Sequence, residues 1–345
     1  MVENIVEQEG VTVFLVKFVL LVILKEKSQL KQRKLKMKIL GIGNAIVDVI
    51  CKVNDGFIEQ NNLTKGTMKL IFDDKEFKTM LSNLKIEKTI SGGSVANSIV
   101  GLSQLGNKVG FIGKVSDDEL GSKYEDGLKS ENVEYFYSKK KEELPTGTCL
   151  ILVTPDSERT MCTFLGTAGK INENDVDTNI IKQSEMIFLE GYLWDEGEPK
   201  KAFEKAIKSA NKVAMSLSDQ FCVDRHKEHF LNLVENKLDI TFANEQEIMS
   251  LIDAKNFSDV IDFGRNLKKL LVITRGDKGA ISINGDEVVE NGIEKNLNIR
   301  DLTGAGDLFA AGFLHGNINT LSTIESLNMG REMSSKVIQQ IGARL

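Results

Sequence analysis

The sequence predicts an α/β protein with a doubly wound, mainly parallel sheet, and two observations support this fold class. Short apolar runs alternate along the chain with longer segments of helical periodicity. Apolar strands joined by helices are typical of parallel sheets covered on both faces. The 345 residues, 41% of them hydrophobic, suffice for one large domain or two smaller ones. In such sheets ligands bind beyond the carboxyl ends of the strands, so functional residues are expected there.

The predicted elements alternate in the order that a parallel sheet requires. The predicted strands are Ile39–Gly43, Val109–Ile112, Met186–Leu189, Val213–Leu217, Ile240–Ala243 and Leu271–Thr274. The segments with helical patterns are Ile99–Leu105, Glu119–Ser130, Pro199–Asn211, Arg225–Glu235 and Ser258–Lys268.

Two segments interrupt this alternation. Residues 51–72 follow the first strand without a strong helical pattern. Farther along, two β-rich runs, Thr148–Val153 and Thr160–Leu165, flank a turn at residues 155–158. We therefore expect extra strands outside the main sheet, which could form a small flap over the site.

The first 36 residues differ from the rest. Val11–Leu24 is apolar except for Lys17, and a basic run, 25–38, follows it. The apolar stretch is about 14 residues long, short of the roughly 20 that span a bilayer. A signal peptide would carry its positive charges before the apolar run. We interpret residues 1–36 as an extension outside the fold, which begins at Met37, with a membrane-surface anchor as the alternative.

The charge balance narrows the possible partners. The net charge is −6, and the body of the chain lacks the basic excess of a nucleic-acid-binding surface. The four cysteines and three histidines show no metal-binding spacing, and scattered cysteines are typical of reduced thiols in a cytosolic protein. We expect a cytoplasmic protein that binds neither nucleic acid nor a membrane.

The most informative segment is Gly304-Ala305-Gly306-Asp307, which precedes the apolar, helix-forming run Leu308–Phe313. Glycines at a helix N-terminus allow unpaired backbone N–H groups to approach an anion closely. A carboxylate beside an anion site repels the anion, so we interpret Asp307 as a general base that takes a proton from an attacking hydroxyl. The alternative is a glycine-rich turn with Asp307 as an ordinary cap.

Two other segments offer groups that suit a sugar. Asp48 comes five residues after Gly43, at the end of the predicted first strand, where a carboxylate can accept protons from two vicinal hydroxyls. Gly92-Gly93 permits close backbone approach to a ligand, and Asn97 follows with both donors and acceptors. The alternatives are a turn-capping aspartate and a plain helix start.

Asn244 and Glu247 follow the predicted strand Ile240–Ala243 at a spacing that places both on one face of a helix. An amide and a carboxylate near phosphates can hold Mg²⁺ through water, because Mg²⁺ keeps much of its hydration shell. The alternative is a helix N-cap followed by a surface glutamate.

The loop after the last predicted strand contains Thr274, Gly276 and Gly279. This composition suits a loop that contacts nucleotide phosphates, and a plain β-turn is the alternative. Arg159, on the predicted flap, could reach a transferring phosphate, or it could simply be solvated.

The common nucleotide-binding signatures are missing. The sequence contains no GxxxxGK[ST] loop, and Gly41-Ile42-Gly43 lacks a third glycine at Ile46. The failed dinucleotide pattern argues against an oxidoreductase, which the α/β pattern alone would permit.

Taken together, these motifs resemble the PfkB/ribokinase family of sugar kinases. The glycine turn before Asp307, with Asp301 and Thr303 ahead of it, resembles the family's second signature. The Gly-Gly pair with Asn97 resembles the first signature. The other candidate groups fall in the family's order, and the resemblance covers about residues 38–343.

Within the family, the chain is similar to the adenosine kinase branch. Asn44 and Asp48 after the first strand, and Ser94 with Asn97 after the glycine pair, match that branch better than ribokinase. Leu302 departs from the family, which usually has Thr or Ser there. This departure leaves activation by a monovalent cation open.

The resemblance implies a Rossmann-like ribokinase fold over residues 37–345, with a small β-strand lid formed by about 49–72 and 144–165. It implies transfer of the γ-phosphoryl group of ATP to a primary hydroxyl of a ribose-containing acceptor, with Mg²⁺ bound to the nucleotide. The preferred acceptor is adenosine. The alternatives are a simple sugar such as ribose or fructose and, more remotely, a non-catalytic binding protein on the same fold. The resemblance leaves open whether the protein is a monomer or a homodimer.

The resemblance also implies roles for individual residues. The catalytic group comprises the base Asp307 and the backbone N–H groups of Gly304, Ala305 and Gly306. The acceptor-binding group comprises Asn44, Asp48, Gly92, Gly93 and Asn97. The ATP-binding group comprises Arg159, Asn244, Thr274, Gly276 and Gly279, with Glu247 as a ligand of Mg²⁺ through water.

Overall fold

The computed structural model describes residues 37–156, 158–194 and 197–345. The predicted extension, residues 1–36, lies outside the described residues, as does Ser157 of the predicted turn. The described part of the chain contains a nine-stranded main sheet and a separate five-stranded sheet, called here the small sheet.

The main sheet is parallel except at one end. Its strands are β1 (Ile39–Ile42), β5 (Val109–Ile112), β6 (Glu134–Tyr135), β9 (Met186–Glu190), β10 (Val213–Ser216), β11 (Ile240–Asn244), β12 (Leu270–Thr274), β13 (Ala280–Asn284) and β14 (Glu287–Asn291). They lie in the order β14-β13-β12-β11-β10-β9-β1-β5-β6. Only β13 runs antiparallel to its neighbours β12 and β14.

The small sheet is mixed. Its strands are β2 (Ile46–Lys52), β3 (Met68–Leu70), β4 (Ile86–Ser91), β7 (Gly147–Val153) and β8 (Arg159–Phe164), in the order β3-β8-β7-β2-β4. Strand β2 pairs parallel with β7 and antiparallel with β4. The small sheet thus takes strands from two separate parts of the chain, residues 46–91 and 147–164.

Helices connect these strands. They are α1 (Asp55–Gln60), α2 (Asp74–Ser82), α3 (Ser94–Gln104), α4 (Glu119–Ser130), α5 (Thr178–Gln183), α6 (Glu198–Ser209), α7 (Gln220–Asn236), α8 (Glu245–Leu251), α9 (Phe257–Leu267), α10 (Ala305–Ile318) and α11 (Thr323–Val337). No helix among the described residues is long and apolar enough to cross a membrane.

The central strands are buried on both faces, as their apolar sequences require. Ile39 of β1 packs into one core cluster, whereas its neighbour Leu40 packs into a second cluster on the opposite face. The same alternation places Phe188 and Ile187 of β9 in different clusters. Each fully buried side chain of this size contributes roughly 1.5–3 kcal/mol, so the main sheet is a rigid support for the loops at its edge.

The predicted α/β fold with a mainly parallel sheet is confirmed. The prediction that residues 51–72 contain no strong helix is wrong, because α1 lies there. Helix α1 has only six residues, too few for a clear apolar period, and the Asn54 side chain caps it by accepting from the Phe57 N–H. Helix α3 starts at Ser94 rather than at the predicted Ile99. Strand β4 was not predicted because it is largely exposed and contains charged residues.

Candidate active site

The carboxyl ends of the parallel strands gather most of the candidate residues along one edge of the main sheet. Asn44 follows β1 closely, and Glu190 ends the neighbouring strand β9. Asn244 ends β11 and is paired in register with Thr274, which ends β12. Sequence segments up to 230 residues apart (44 to 274) therefore meet at this edge, where ligands of such sheets bind.

Asp307 lies in the first turn of α10 and is held by two side chains from α3. The Ser94 hydroxyl donates to its Oδ1 at 2.6 Å, and the Asn97 amide Nδ2 donates to its Oδ2 at 3.0 Å. Burial raises the pKa of Asp307 to about 6, although both hydrogen bonds and the charge of Arg344 act in the opposite direction. The carboxyl group is therefore ionised at pH 7 and close to the pKa that suits a general base.

The glycine turn before Asp307 leaves a gap for a ligand. Gly304 has a φ of +79°, and a Cβ there would lie 2.6 Å from the Cα of Ala343, so glycine is required for both reasons. The Ala305 N–H donates to the Leu302 carbonyl at 3.2 Å and is thus already engaged. Gly306 is exposed, and a Cβ there would meet nothing within 4 Å.

The first hydrogen bond of α10 runs from the Leu308 N–H to the Gly304 carbonyl at 2.9 Å. The N–H groups of Gly306 and Asp307 precede it and find no backbone acceptor in the described part of the chain. Free N–H groups at a helix N-terminus bind anions. The predicted anion site accordingly rests on Gly306 and Asp307 more than on Ala305.

Asp48 does not end the first strand, and that prediction is wrong. Strand β1 ends at Ile42, and the chain turns into the small sheet, so that Asp48 lies within β2. Its carboxyl group rests against Gly92, where a Cβ would lie 2.6 Å from Oδ2. Burial raises the pKa of Asp48 to about 7; Arg344 lowers it and Asp307 raises it further.

Asn44 and Gly93 meet at the start of α3. Gly93 has a φ of +98°, and a Cβ there would lie 2.2 Å from the Asn44 carbonyl oxygen. The Asn44 side chain donates from Nδ2 to Glu190 Oε1 at 2.9 Å, while its Oδ1 is buried without a partner among the described residues. A buried acceptor without a donor is costly, so Oδ1 is an unsatisfied group at this edge of the sheet.

Asn244 and Glu247 form a capping box at the start of α8. Asn244 Oδ1 accepts from the Glu247 N–H at 2.8 Å, and the Glu247 carboxylate accepts from the Asn244 backbone N–H at 3.0 Å and from its Nδ2 at 2.6 Å. Burial raises the pKa of Glu247 to about 7, and Asp219 contributes to the increase. The capping box matches the N-cap of the alternative interpretation, but Glu247 is buried rather than on the surface.

Direct coordination of a metal does not fit these residues. Both carboxylate oxygens of Glu247 already accept hydrogen bonds from Asn244. Among the described residues, no group of three or more His, Cys, Asp or Glu side chains is arranged to hold a metal ion. Contact of Glu247 with Mg²⁺ through a water molecule stays a prediction.

The loop that contains Thr274 turns the chain from β12 into the antiparallel β13. Gly276 and Gly279 have φ values of +59° and +87°. A Cβ at Gly279 would lie 2.1 Å from the Asn291 carbonyl, whereas one at Gly276 would meet nothing within 4 Å. Gly279 is thus required by packing in the sheet, and Gly276 leaves open space for a ligand.

Arg159 connects the small sheet with the segment before α10. Its guanidinium lies 2.8 Å from Asp301 Oδ2, which also accepts from the Gly342 N–H at 2.8 Å. Burial alone would raise the pKa of Asp301, but hydrogen bonds from Thr303 and Gly342, together with Arg159, lower it. Arg159 is therefore held by an ion pair beside the glycine turn.

Comparison with known proteins identifies the class of this site. The model of the pfkB family of carbohydrate kinases matches residues 62–345. The chain belongs to this kinase family. The predicted kinase activity class is thereby confirmed, and the family implies ATP as co-substrate and usually Mg²⁺.

The relatives of this kinase differ in their acceptors. The adenosine kinase from Sinorhizobium meliloti is 36% identical, with 90% of this chain and 96% of that chain covered and a TM-score of 0.81. A probable sugar kinase from Rhizobium etli CFN 42 is 35% identical, with 90% and 95% covered and a TM-score of 0.81. A 5-dehydro-2-deoxygluconokinase from Clostridium beijerinckii is 26% identical over 293 residues, which are 79% of this chain and 85% of that protein.

Two residues that contact predicted site residues carried no prediction. Glu190 accepts from the Val95 N–H at 3.0 Å and from Asn44, and burial raises its pKa to about 7. A carboxylate that directly follows a buried apolar strand was the available signal. Arg344 donates from Nε to Asn97 Oδ1 at 3.0 Å, and its position near the end of the chain gave no signal.

Proposed function

We propose that this kinase transfers the γ-phosphoryl group of ATP to the primary hydroxyl of a ribose-containing acceptor, with adenosine as the preferred one. The observation that carries the proposal is an apolar surface next to Asp48. Asp48 is paired in register with Cys149, which is in turn paired with Thr163. Side chains that are paired in register point to the same face of a sheet.

This surface, called here the apolar face, consists of the small-sheet side chains on the same side as Asp48. It includes Ile46, Cys149, Ile151, Met161 and Leu165, which form a cluster separate from the main cores. Met161 and Leu165 are only partly buried, whereas Ile46, Cys149 and Ile151 are buried. An apolar surface beside a sugar-binding carboxylate suits a planar base attached to a ribose, because base stacking contributes roughly 1–3 kcal/mol per base elsewhere.

The chemistry follows from the geometry of Asp307 and the glycine turn. The acceptor oxygen forms a bond to the γ-phosphorus while the bond between that phosphorus and the β,γ-bridging oxygen breaks, and ADP leaves. The acceptor proton passes to the Asp307 carboxylate. The free N–H groups of Gly306 and Asp307 stabilise negative charge on the transferring group. Asp48 and the Oδ1 atom of Asn44 accept hydrogen bonds from ribose hydroxyls.

ATP occupies the opposite side of the glycine turn in this proposal. Thr274 and Gly276 contact its phosphates from the β12–β13 turn, and Arg159 reaches them from the small sheet. Bound Mg²⁺ would neutralise phosphate charge, with Asn244 and Glu247 contacting it through water. We also infer a cytoplasmic protein, since all four cysteines are free and buried, and a monomer or homodimer.

A kinase for a simple sugar or a sugar acid is the second candidate. The relatives named 5-dehydro-2-deoxygluconokinase favour it, although at only 26% identity for the Clostridium beijerinckii protein. Such an acceptor would leave the apolar face without a contact. Acceptor choice therefore distinguishes the two candidates without altering the assignment of Asp307.

The test is a panel of acceptors assayed with Mg-ATP by release of ADP. Adenosine, ribose, fructose and 5-dehydro-2-deoxygluconate are compared, each with and without KCl to measure dependence on a monovalent cation. We expect kcat/KM for adenosine to exceed that for the other acceptors by about tenfold or more, as 1.4 kcal/mol of base contact would give. Equal or faster turnover of a free sugar or sugar acid would contradict the adenosine assignment. Binding without turnover of any acceptor would contradict transfer itself.

A further inference from the structure

The last five residues of the chain, 341–345, form a tail that is docked against the site. The Gly342 N–H donates to Asp301 Oδ2 at 2.8 Å, and the carbonyl oxygen of Leu345 accepts from Gln104 Nε2 at 3.1 Å. Ala343 fills the space next to the Gly304 Cα. The backbone is thus held on both sides of Arg344, which fixes where its side chain begins.

Arg344 is joined to Asp307 through one intermediate side chain. Its Nε donates to Asn97 Oδ1 at 3.0 Å, and Asn97 Nδ2 donates to Asp307 Oδ2 at 3.0 Å. A guanidinium has donors only, so Asn97 must present its oxygen to Arg344 and its NH₂ group to Asp307. Without Arg344, Asp307 alone would orient the amide, and Oδ1 of Asn97 would lose its donor.

Arg344 also supplies positive charge to an acidic region. The titratable groups whose charges act on Asp307, or on which Asp307 acts, are Asp48 from β2, Glu190 from β9, Tyr192 and Arg344 itself. The charge of Arg344 opposes the effect of burial on both Asp48 and Asp307. An arginine is suited to this place because it stays protonated when buried.

The contacts of Arg344 are incomplete for a residue that only stabilises the fold. Its Nη2 atom is buried and has no acceptor among the described residues. A buried donor without an acceptor costs free energy. A tail whose only task was packing would be better served by an apolar side chain.

We propose that Arg344 is a positioning residue for phosphoryl transfer, which holds Asn97 so that Asp307 faces the acceptor hydroxyl. The proposal rests on the proposed role of Asp307 as base, and it does not depend on which acceptor is used. It makes the end of the chain a part of the active site.

The test compares Arg344→Gln and Arg344→Lys with Arg331→Gln. Arg331 lies on α11 and lines a groove with Glu294 and Glu332, away from Asp307, so it controls for the loss of an arginine charge outside the site. Wild-type and variant proteins are assayed with whichever acceptor the wild type turns over best. The readouts are kcat, the KM values for acceptor and ATP, the pH profile of kcat/KM, and the melting temperature.

We expect Arg344→Gln to lower kcat by about 10- to 100-fold, a range within the usual contribution of a well-placed base. A nearby opposite charge lowers the pKa of a carboxyl group by about 1–3 units, so removing Arg344 should raise the pKa of Asp307. The acidic limb of the kcat/KM profile of this variant should therefore move up by about one pH unit. Arg344→Lys keeps the charge, so the acidic limb of its kcat/KM profile should stay near that of the wild type. Its kcat should lie between that of Arg344→Gln and that of the wild type. Arg331→Gln should match the wild type in every readout.

Two results would overturn the proposal. One is an Arg344→Gln enzyme with normal kcat and an unmoved acidic limb. The other is a lowered melting temperature in both Arg344 variants with equal losses of activity and no shift of the limb, as a purely structural tail would give. If Arg344→Gln is not recovered folded, the lysine variant decides, and an unchanged kcat overturns the proposal. Failure of the proposed base would be seen separately, as an active Asp307→Asn enzyme.

Discussion

The acceptor side and the nucleotide side of the site are built in different ways. On the acceptor side, Asp307 is held by Ser94 and Asn97, which are 213 and 210 residues away in the sequence, and Asn97 in turn contacts Arg344. On the nucleotide side, Asn244 and Glu247 satisfy each other across three residues. Asp307 is thus fixed by long-range contacts, whereas Asn244 and Glu247 are fixed by a local one.

The two sides also differ in how completely their polar groups are paired. Asn44 Oδ1 and Arg344 Nη2 are buried without partners on the acceptor side, whereas both oxygens of Glu247 are engaged. Unpaired buried groups cost stability, so these two atoms are candidates for contact with a ligand. The comparison gives three predictions, each of which tests one side.

The largest effect is expected from Asp307→Asn. An amide cannot take the acceptor proton, so kcat should fall by about 10²- to 10⁴-fold while the melting temperature stays close to that of the wild type. Kinetics at saturating acceptor and ATP measure the effect, and Asp126→Asn on the exposed side of α4 is the control for loss of an acidic charge. Activity within threefold of the wild type would remove Asp307 from the mechanism.

The next largest effect is expected from Asp48→Asn. Losing hydrogen bonds to a charged group costs about 1.5–3 kcal/mol, so the acceptor KM should rise about 10- to 100-fold with little change in the KM for ATP.

Burial raises the pKa of Asp48 from 3.8 to about 7. Ionisation therefore destabilises the folded state at pH 8, and this penalty declines as pH falls from about 7 toward 3.8.

The same variant should consequently be more stable than the wild type at pH 8, with a smaller difference at pH 5. Thermal melting of the unligated proteins at both pH values measures this difference. An increase in the KM for ATP with an unchanged acceptor KM would show that the two sides have been assigned the wrong way round.

The sequence predicted those parts of the fold that depend on local pattern. The apolar runs of the main sheet identified its central strands, because strands buried on both faces must be apolar throughout. The glycine turn identified the start of α10, because its residues, Gly304-Ala305-Gly306-Asp307, are consecutive in the sequence. Strand β4 and helix α1 were not predicted, because a partly exposed strand and a six-residue helix show little apolar periodicity.

The parts of the site that were not predicted from the sequence depend on tertiary contacts. Glu190 gains its role from Asn44 and Val95, and Arg344 from Asn97, all of which are far away in sequence. Asp48 was recognised as a candidate, but its place in the small sheet depends on pairing with β4 and β7. Asn244 and Glu247 differ from these residues, because their contact is local. The sequence showed their spacing, but that spacing is compatible with both a helix cap and a ligand site.

The smallest effect is expected from Asn244→Ala, and it decides between those two interpretations. The chain offers a matched control, because Asn256 and Asp259 form the same capping box at the start of α9. Loss of an Asn N-cap costs about 0.5–2 kcal/mol, so Asn244→Ala and Asn256→Ala should both lower the melting temperature by similar amounts. Only Asn244→Ala should also raise the KM for ATP, by about threefold to tenfold, as the loss of one hydrogen bond of about 1 kcal/mol would give, with the acceptor KM unchanged. If the two variants gave the same KM for ATP, the capping box of α8 would be no more than a cap, and the nucleotide side would have to be assigned to Thr274, Gly276 and Arg159 alone.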